Sequence, residues 1–180
     1  MKPRNLVISL ALLGGLAVAG TAQAAGKIYV GAKGGLVQAD NSGFDDTFNV
    51  GVYGGFNMLG KDSQFAADLS GGTLAVEGEV TFSVAKGDAP GGEWDMTSFA
   101  AYAAYRQPLT DYFYLKGKLG LVHYDLDLDS TIPANNSGTD NALAAGIGAG
   151  WRVGPGSLEA EITTYESDVL FVSVGFHMNF

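Results

Sequence analysis

The side chains best suited to chemistry are charged residues that alternate with apolar residues along the chain. Five are basic and four are acidic: Lys33, Arg106, Lys116, Lys118, Arg152, Glu77, Glu79, Glu159 and Glu161. Alternate residues of an extended strand share one face, so these charges would lie on the faces opposite the apolar residues. Inside a closed fold they must pair, because an unpaired buried ion costs several kcal/mol. The pattern predicts a layer of ion pairs, and both a packed polar core and a gate for ions remain open.

A second charged set is almost entirely acidic and lies between the alternating segments, with Lys86 as its one basic member. Its acids are Asp40, Asp45, Asp46, Asp88, Glu93, Asp95, Asp125, Asp127, Asp129, Asp140, Glu166 and Asp168. Asp125, Asp127 and Asp129 share one strand face, and carboxylate oxygens suit divalent cations, so these three are weak candidates for metal ligands. Their spacing lacks the central Gly and distal Glu of an EF-hand loop. A solvated surface of repelling charges is the alternative.

No segment carries a convincing catalytic pattern. A hydroxyl nucleophile needs a base within hydrogen-bonding reach, whereas His177 is about 13 Å along a strand from Ser173. His123 has no serine on its own face, and a partner on an adjacent strand is left open. The glycines of Gly146–Gly150 lie within a strand with no helix after it, unlike a phosphate-binding loop. We therefore expect no enzyme activity and no cofactor, and the net charge of −9 argues against nucleic-acid binding.

Eight alternating segments must position the charged residues. They span residues 27–38, 47–57, 73–85, 97–106, 112–124, 142–153, 157–165 and 169–180. Most match the roughly 9–11 residues that a tilted strand needs to cross a bilayer. An apolar exterior with a polar interior would make a membrane barrel, and the reverse would make a soluble one. The alternation alone does not separate these two arrangements.

The connections between the segments differ in length on the two sides. Short turns at 107–111 and 154–156 contain Pro and Gly, which favour tight reversals. Longer polar loops at 39–46, 86–96 and 125–141 fall on the other side, as in membrane barrels with short periplasmic turns. The connection at 58–72 is the exception, because it is long although it belongs to the short side. Leu126 and Leu128 invert the apolar parity set by Leu119, which predicts either a bulge or a strand that continues above the bilayer.

The N-terminal segment has the pattern of an export signal. Lys2 and Arg4 precede an uncharged apolar run at 6–19, and Ala22 and Ala24 supply small residues for cleavage. This order is typical of a secretory signal peptide, which we place at 1–24. The remainder, 25–180, suits one domain, and it contains no cysteine for a disulfide.

The C-terminal strand and one hairpin carry a family resemblance. Phe176, Met178 and Phe180 share the apolar face of the last segment, and a terminal Phe in such a strand is the mark of bacterial outer-membrane barrels. The hairpin SFAAYAAYRQPLTDYFYLKGKLGLVHYD, at 98–125, resembles the small outer-membrane β-barrel family typified by the OmpA transmembrane domain. The resemblance implies an all-β, eight-stranded antiparallel up-and-down transmembrane β-barrel at 25–180.

The resemblance also implies a location and partners. We expect export through the periplasm into the outer membrane of a Gram-negative cell, with contacts to membrane lipid and lipopolysaccharide. Phe176, Met178 and Phe180 would serve as the signal read by the barrel-assembly machinery. The expected role is a non-enzymatic barrel with a plugged, charged lumen and acidic loops, supporting the membrane or contacting an unknown loop partner. A narrow porin-like channel gated by the lumen ion pairs and a lipid-A-modifying enzyme are the alternatives.

Overall fold

The fold is known from a computed structural model of the chain. It describes residues 28–39, 43–59, 71–90, 92–130, 138–165 and 169–180. The predicted signal at 1–24 and most of the connection at 58–72 lie outside this set, as do Asp40, Glu166 and Asp168 of the acidic residues. No helix within the described ranges is long and apolar enough to span a membrane.

Nine strands make up the described fold. They are β1 (Ile28–Ala39), β2 (Thr47–Leu59), β3 (Thr73–Ala85), β4 (Gly87–Ala89), β5 (Gly92–Pro108), β6 (Phe113–Ser130), β7 (Gly138–Val153), β8 (Gly156–Tyr165) and β9 (Val169–Asn179). Every long strand pairs antiparallel with its neighbours in the chain, and β1 also pairs with β9. Direct pairing of β3 with β5 completes the ring, so the eight long strands form a closed antiparallel barrel, as the sequence predicted.

The strand boundaries differ from the prediction mainly at one end of the barrel. We call the end with the turns at 109–112 and 154–155 the lower end, and the opposite end the upper end. At the upper end β5 begins at Gly92, β6 continues to Ser130 and β7 begins at Gly138. Much of the predicted loops at 86–96 and 125–141 is therefore paired strand, and β4 forms a small hairpin with β5. Acidic residues that look like loop in the sequence are strand here because the neighbouring backbone pairs with them.

The barrel has an apolar exterior and a polar or aromatic interior. Ile147, Leu143 and Leu121 are 72%, 67% and 65% exposed, whereas Glu77, Glu79 and Glu159 are at most 2% exposed. A soluble barrel would have these faces reversed, because water would surround it. The described residues thus show the alternation expected of a barrel that stands in a bilayer.

Successive residues of β6 alternate between the inward and outward faces without interruption along the whole strand. Its pairing with β5 runs from Tyr114 to Ser130 without a register shift, so there is no bulge near His123. Leu126 and Leu128 therefore face inward, where they pack against the buried apolar cluster at the upper end. Of the two predicted explanations, the continuing strand is correct, and the apolar parity changes because the part of the upper lumen beside β6 is itself apolar.

An apolar cluster fills the upper lumen. Its buried members are Val37, Trp94, Met96, Tyr102, Val122, Tyr124, Ala142, Ala144, Tyr165, Val169 and Phe171. We call this set the upper plug. The Trp94 indole Nε1 donates a hydrogen bond to the Asp45 carbonyl at 2.8 Å, and Phe44 packs edge-on against the indole ring at 5.8 Å. The described residues just before β2 are therefore tied to the plug.

The exposed apolar residues on the barrel exterior allow a test of which strand face contacts lipid hydrocarbon. We expect Ile147→Arg to lower the free energy of unfolding in lipid vesicles by about 2–4 kcal/mol, because a cationic side chain near the middle of a lipid-facing strand is costly. Urea titration followed by tryptophan fluorescence measures the change, with Ile147→Leu as the control. A soluble barrel would tolerate an exposed Arg with little change, so a near-zero effect would contradict the assignment.

Candidate functional site

Eight charged side chains converge in the middle of the lumen. They come from five strands and are Lys33, Glu77, Glu79, Arg106, Lys116, Lys118, Glu159 and Glu161, each at most 8% exposed. Four are basic and four are acidic, so the set is formally neutral. These residues converge because each lies on the inward face of its strand. The strand pairing also places them at similar levels along the barrel axis. They form two quartets of ion pairs.

The upper quartet consists of Lys33, Lys118, Glu79 and Glu161. The Lys33 ammonium lies 2.7 Å from Glu79 and 2.9 Å from Glu161. The Lys118 ammonium lies 3.1 Å from Glu79 and 2.9 Å from Glu161. Each cation thus bridges the same two carboxylates.

The lower quartet consists of Arg106, Lys116, Glu77 and Glu159. Arg106 donates through Nη2 to Glu77 at 3.1 Å and through Nε to Glu159 at 2.9 Å. Lys116 lies 2.9 Å from Glu77 and 3.1 Å from Glu159. It also contacts Glu161, which joins the two quartets into one network.

Tyrosine hydroxyls complete the network at its lower side. Tyr29 donates to Glu77 Oε2 at 2.8 Å, and Tyr114 donates to Glu159 Oε1 at 2.6 Å. Arg106 Nη1 in turn donates to the Tyr29 hydroxyl at 3.1 Å. Tyr53 and His177 lie beside them, with 3.2 Å between the hydroxyl and Nδ1. These partners were not predicted from the sequence, although Tyr29 shares the strand parity of Lys33.

Glycines on β7 make room for the charged side chains. A Cβ at Gly146 would lie 2.8 Å from Lys118 Cε, and one at Gly148 would lie 3.0 Å from Glu161 Cγ. A Cβ at Gly150 would overlap the Tyr114 ring. The glycine-rich run is therefore a steric requirement of the lumen, in agreement with its placement within a strand.

Arg152 does not belong to the network, although the sequence analysis grouped it with the lumen charges. It lies at the lower mouth, where its guanidinium donates to the Asp111 carbonyl at 3.0 Å and lies 5.7 Å from the Tyr114 ring centroid. β7 ends one residue later, at Val153, so the inward face there has reached the mouth. Its exclusion leaves four cations for four anions.

The ion pairs of the network offset the free-energy cost of burying so many charges. Each ammonium or guanidinium contacts at least two carboxylates, and each carboxylate contacts at least two cations. Burial of a pair is tolerated only where geometry is good and further hydrogen bonds are present. Carboxylate oxygens of Glu77, Glu79 and Glu161 lie within 4.8 Å of one another, but lysine ammonium groups already bind all three. The arrangement favours a closed network over a metal site.

The weak metal candidates lie outside the lumen, on the outward face of the extended β5–β6 hairpin. Asp125, Asp127 and Asp129 alternate along β6 there, and Glu93 pairs with Asp129 while Asp95 pairs with Asp127. Like charges directly opposite one another destabilise a sheet. We call the outward acids of this hairpin, Glu93, Asp95, Asp125, Asp127 and Asp129, the acidic face.

Lys86 relieves part of the repulsion within the acidic face. Its ammonium lies 2.6 Å from Asp129 and 3.3 Å from Asp95. The hydrogen bond to Asp129, followed by that to Asp95, raises the pKa of the Lys86 ammonium. Thr139 donates a hydrogen bond to Asp125. The remaining acids keep the surface strongly negative.

The C-terminal residues lie on the outward face of β9 and just beyond it. Phe176, Met178 and Phe180 are 43%, 43% and 56% exposed. β9 pairs with β8 on one side and β1 on the other, so it is the strand that closes the ring. Recognition of these residues by an assembly machinery stays a prediction.

Comparisons with known proteins agree with this architecture. Residues 8–176 match a family described as the outer membrane protein beta-barrel domain. No curated protein matches the sequence.

Solved structures with a similar fold include two bacterial surface proteins. Ail, the attachment invasion locus protein of Yersinia pestis, has 17% identity and a TM-score of 0.54, with 86% of this chain and 97% of Ail covered. Neisserial surface protein A has 19% identity and a TM-score of 0.54, covering 85% and 97%. A de novo designed transmembrane β-barrel has 14% identity and a TM-score of 0.53, covering 88% and 98%. At these identities the likeness shows a shared fold.

Removal of one carboxylate should show how strongly the charged residues of the network depend on one another for stability. We expect Glu161→Gln to lower the free energy of unfolding by about 3–5 kcal/mol, because it leaves buried ammonium groups without their shared counter-ion. Urea unfolding in vesicles measures the loss. Asp129→Asn removes an acid whose side chain is 78% exposed and should change the value by about 0.5 kcal/mol or less. Equal effects of the two substitutions would contradict a coupled lumen network.

Proposed function

This chain belongs to the outer membrane protein beta-barrel domain family, and from that premise we propose that it is a non-conducting structural barrel. In this role the lumen holds the barrel together, and the acidic face meets the cell exterior. The lower end then faces the periplasm and the upper end faces outward, following the short-turn rule of membrane barrels. The exposed apolar belt lies against outer-membrane lipid.

The filled lumen is the observation that supports this proposal. The ion-pair network occupies its middle, and the upper plug occupies the part above. An eight-stranded barrel has an interior just wide enough for its side chains to fill. An ion would have to displace two different layers, one held by ion pairs and the other by apolar packing.

The gated-channel alternative has less support. Opening a path through the network would separate ammonium groups from carboxylates that each contact at 2.7–3.1 Å. An uncompensated buried charge is strongly destabilising. Moving the network alone would also leave Trp94 and Phe171 of the upper plug in place.

The lipid-modifying enzyme alternative also has less support. His123 Nδ1 lies 3.0 Å from Asn141 Oδ1, and His177 Nδ1 lies 3.2 Å from the Tyr53 hydroxyl. Acyl transfer needs a base beside an activated hydroxyl or thiol nucleophile. The hydroxyl beside His177 belongs to Tyr53, which also donates to Glu159 inside the buried network, and His177 Nδ1 itself lies 3.7 Å from Glu159. Ser157, which pairs with His177 across β8 and β9, is like His177 only 3% exposed, so a substrate would have to enter the filled lumen. We therefore infer a non-enzymatic role.

The acidic face limits the partners that the exterior can bind. Ail has been crystallised with the heparin analogue sucrose octasulfate, a polyanion. The acidic face of this chain would repel such a ligand unless cations bridged the charges. We therefore infer that divalent cations link its carboxylates to the phosphates of lipopolysaccharide, since hard oxygen ligands suit these ions.

Planar-bilayer recording tests the non-conducting role. The full chain, purified from the outer membrane of a Gram-negative host, should give a flat current with no discrete openings. Trp94→Ala, which opens part of the upper plug, should remain silent because the ion-pair network still fills the middle of the lumen. Steady discrete openings of the unaltered barrel would favour the gated channel instead.

Thermal unfolding tests the cation link. Millimolar calcium should raise the Tm of the barrel in vesicles, because it relieves repulsion between the opposed acids of β5 and β6. The rise should shrink in the triple variant Asp125→Asn, Asp127→Asn, Asp129→Asn. Sodium chloride at the same ionic strength separates binding from screening. An equal rise with sodium, or none with calcium, would contradict cation binding.

A further inference from the structure

A groove of about 880 Å³ crosses the outward wall of the barrel over β1, β2, β3, β5 and β6. It opens away from the lumen, because most of its lining belongs to the lipid-facing parity of these strands. Its shape follows directly from the strand pairing.

The strand register lines up the floor of the groove. Gly54 pairs with Gly78, and Gly78 pairs with Ala101, so three small outward residues stand side by side on neighbouring strands. A Cβ at Gly78 would meet no atom within 4 Å. At Gly78 the floor is therefore open space that a larger side chain could have filled without a clash, whereas a Cβ at Gly54 would come within 3.1 Å of the Tyr29 carbonyl oxygen.

Larger residues form the walls. The paired row above the floor contains Val52, Val80 and Phe99, and Phe56 flanks the floor from below. Val30 and Leu121 lie at the two ends of the floor row. The result is a trough that is apolar along its length and bounded on both sides.

The trough rises across the wall. Paired residues lie on a line perpendicular to the strands, and barrel strands tilt by roughly 35–45° from the axis. The row from Val30 to Leu121 therefore climbs from the lower end toward the upper end. At the upper limit of the groove, His123 and Asn141 form a polar pair at 3.0 Å.

We propose that this groove binds one acyl chain of an outer-leaflet lipid, with the lipid headgroup at the His123–Asn141 end. The groove is continuous with the apolar belt that contacts the bilayer, so hydrocarbon reaches it without crossing any polar surface. A flexible linear chain can follow a narrow diagonal trough. The N–H groups of the polar pair can donate hydrogen bonds to the phosphate or ester-carbonyl oxygens of a lipid headgroup. The proposal rests on the outer-membrane location and is independent of whether the barrel conducts.

A second copy of the chain is the competing occupant. The outer wall of another barrel is convex and carries large residues such as Leu143 and Ile147. Such a wall would span the ridges formed by Phe56 and Phe99 and leave the floor uncovered. A lipid chain fills that space, and empty apolar space forfeits contacts on its lining.

Photo-crosslinking tests the groove with a defined probe. The full chain, purified from outer membranes, is placed in phosphatidylcholine vesicles containing a trace of phospholipid with a diazirine on one acyl chain. After irradiation, peptide mass spectrometry maps the adducts. We expect Val80, Phe99 and Leu121 to be labelled several-fold more than Leu158 of β8 and Val174 of β9, which lie on the opposite wall and are 49% and 54% exposed. Uniform labelling of both walls would overturn the proposal.

Matched glycine variants separate the groove from general lipid contact. Gly78→Leu should reduce labelling of the groove to that of the opposite wall by filling the floor. Gly117→Leu is the control, since a Cβ there also meets no atom within 4 Å and the residue lies outside this groove. Unchanged labelling in Gly78→Leu would overturn the proposal, as would protein–protein cross-links through Val80 or Phe99. A diazirine near the carboxyl end should label Leu121, and one near the methyl end should label Val52; the reverse order would overturn the assigned headgroup position.

Discussion

Burial of eight charged side chains in a narrow lumen is the constraint on which the rest of this structure depends. Four cations and four anions, each at most 8% exposed, are tolerated only when they pair with one another, because each unpaired member would carry a large desolvation cost. The two quartets meet this condition separately, and the contact between Lys116 and Glu161 joins them. Neutrality within each quartet means that neither needs an outside ion.

Other features follow from this constraint. Glycines at 146, 148 and 150 leave the volume that Lys118, Glu161 and Tyr114 occupy. Hydroxyls of Tyr29 and Tyr114 add hydrogen bonds to carboxylate oxygens of Glu77 and Glu159 that the cations also contact. Above the network the lumen changes to apolar packing around Trp94 and Phe171. In the role proposed here, a barrel filled in this way is a rigid support whose outer surfaces, the lipid-facing wall and the acidic face, carry its interactions.

The sequence predicted the barrel well because strand parity is a local signal. Alternation placed Lys33, Glu79 and Glu161 on the faces opposite the apolar residues, and one-face burial specifies register strongly. The family resemblance then indicated that those faces are the inward ones. The alternation could not show that apolar side chains fill much of the upper lumen. Without the strand-pairing partners, the sequence around Trp94 is equally consistent with an inward and an outward side chain. The reach of Arg152 toward Asp111 and the pairing of β4 depend on contacts between distant segments, which no spacing in the chain reveals.

A double-mutant cycle within the upper quartet tests the central claim most directly. Lys118→Met and Glu79→Gln remove one cation and one anion that lie 3.1 Å apart. The set of charged side chains in the lumen stays formally neutral in the double variant. The free energy of unfolding is measured for the unaltered chain, the two single variants and the double variant. The stability lost in the double variant should be smaller than the sum of the losses in the two single variants, by about 1–3 kcal/mol. Additive losses, within about 0.5 kcal/mol, would show that the lumen charges act independently and would contradict the account.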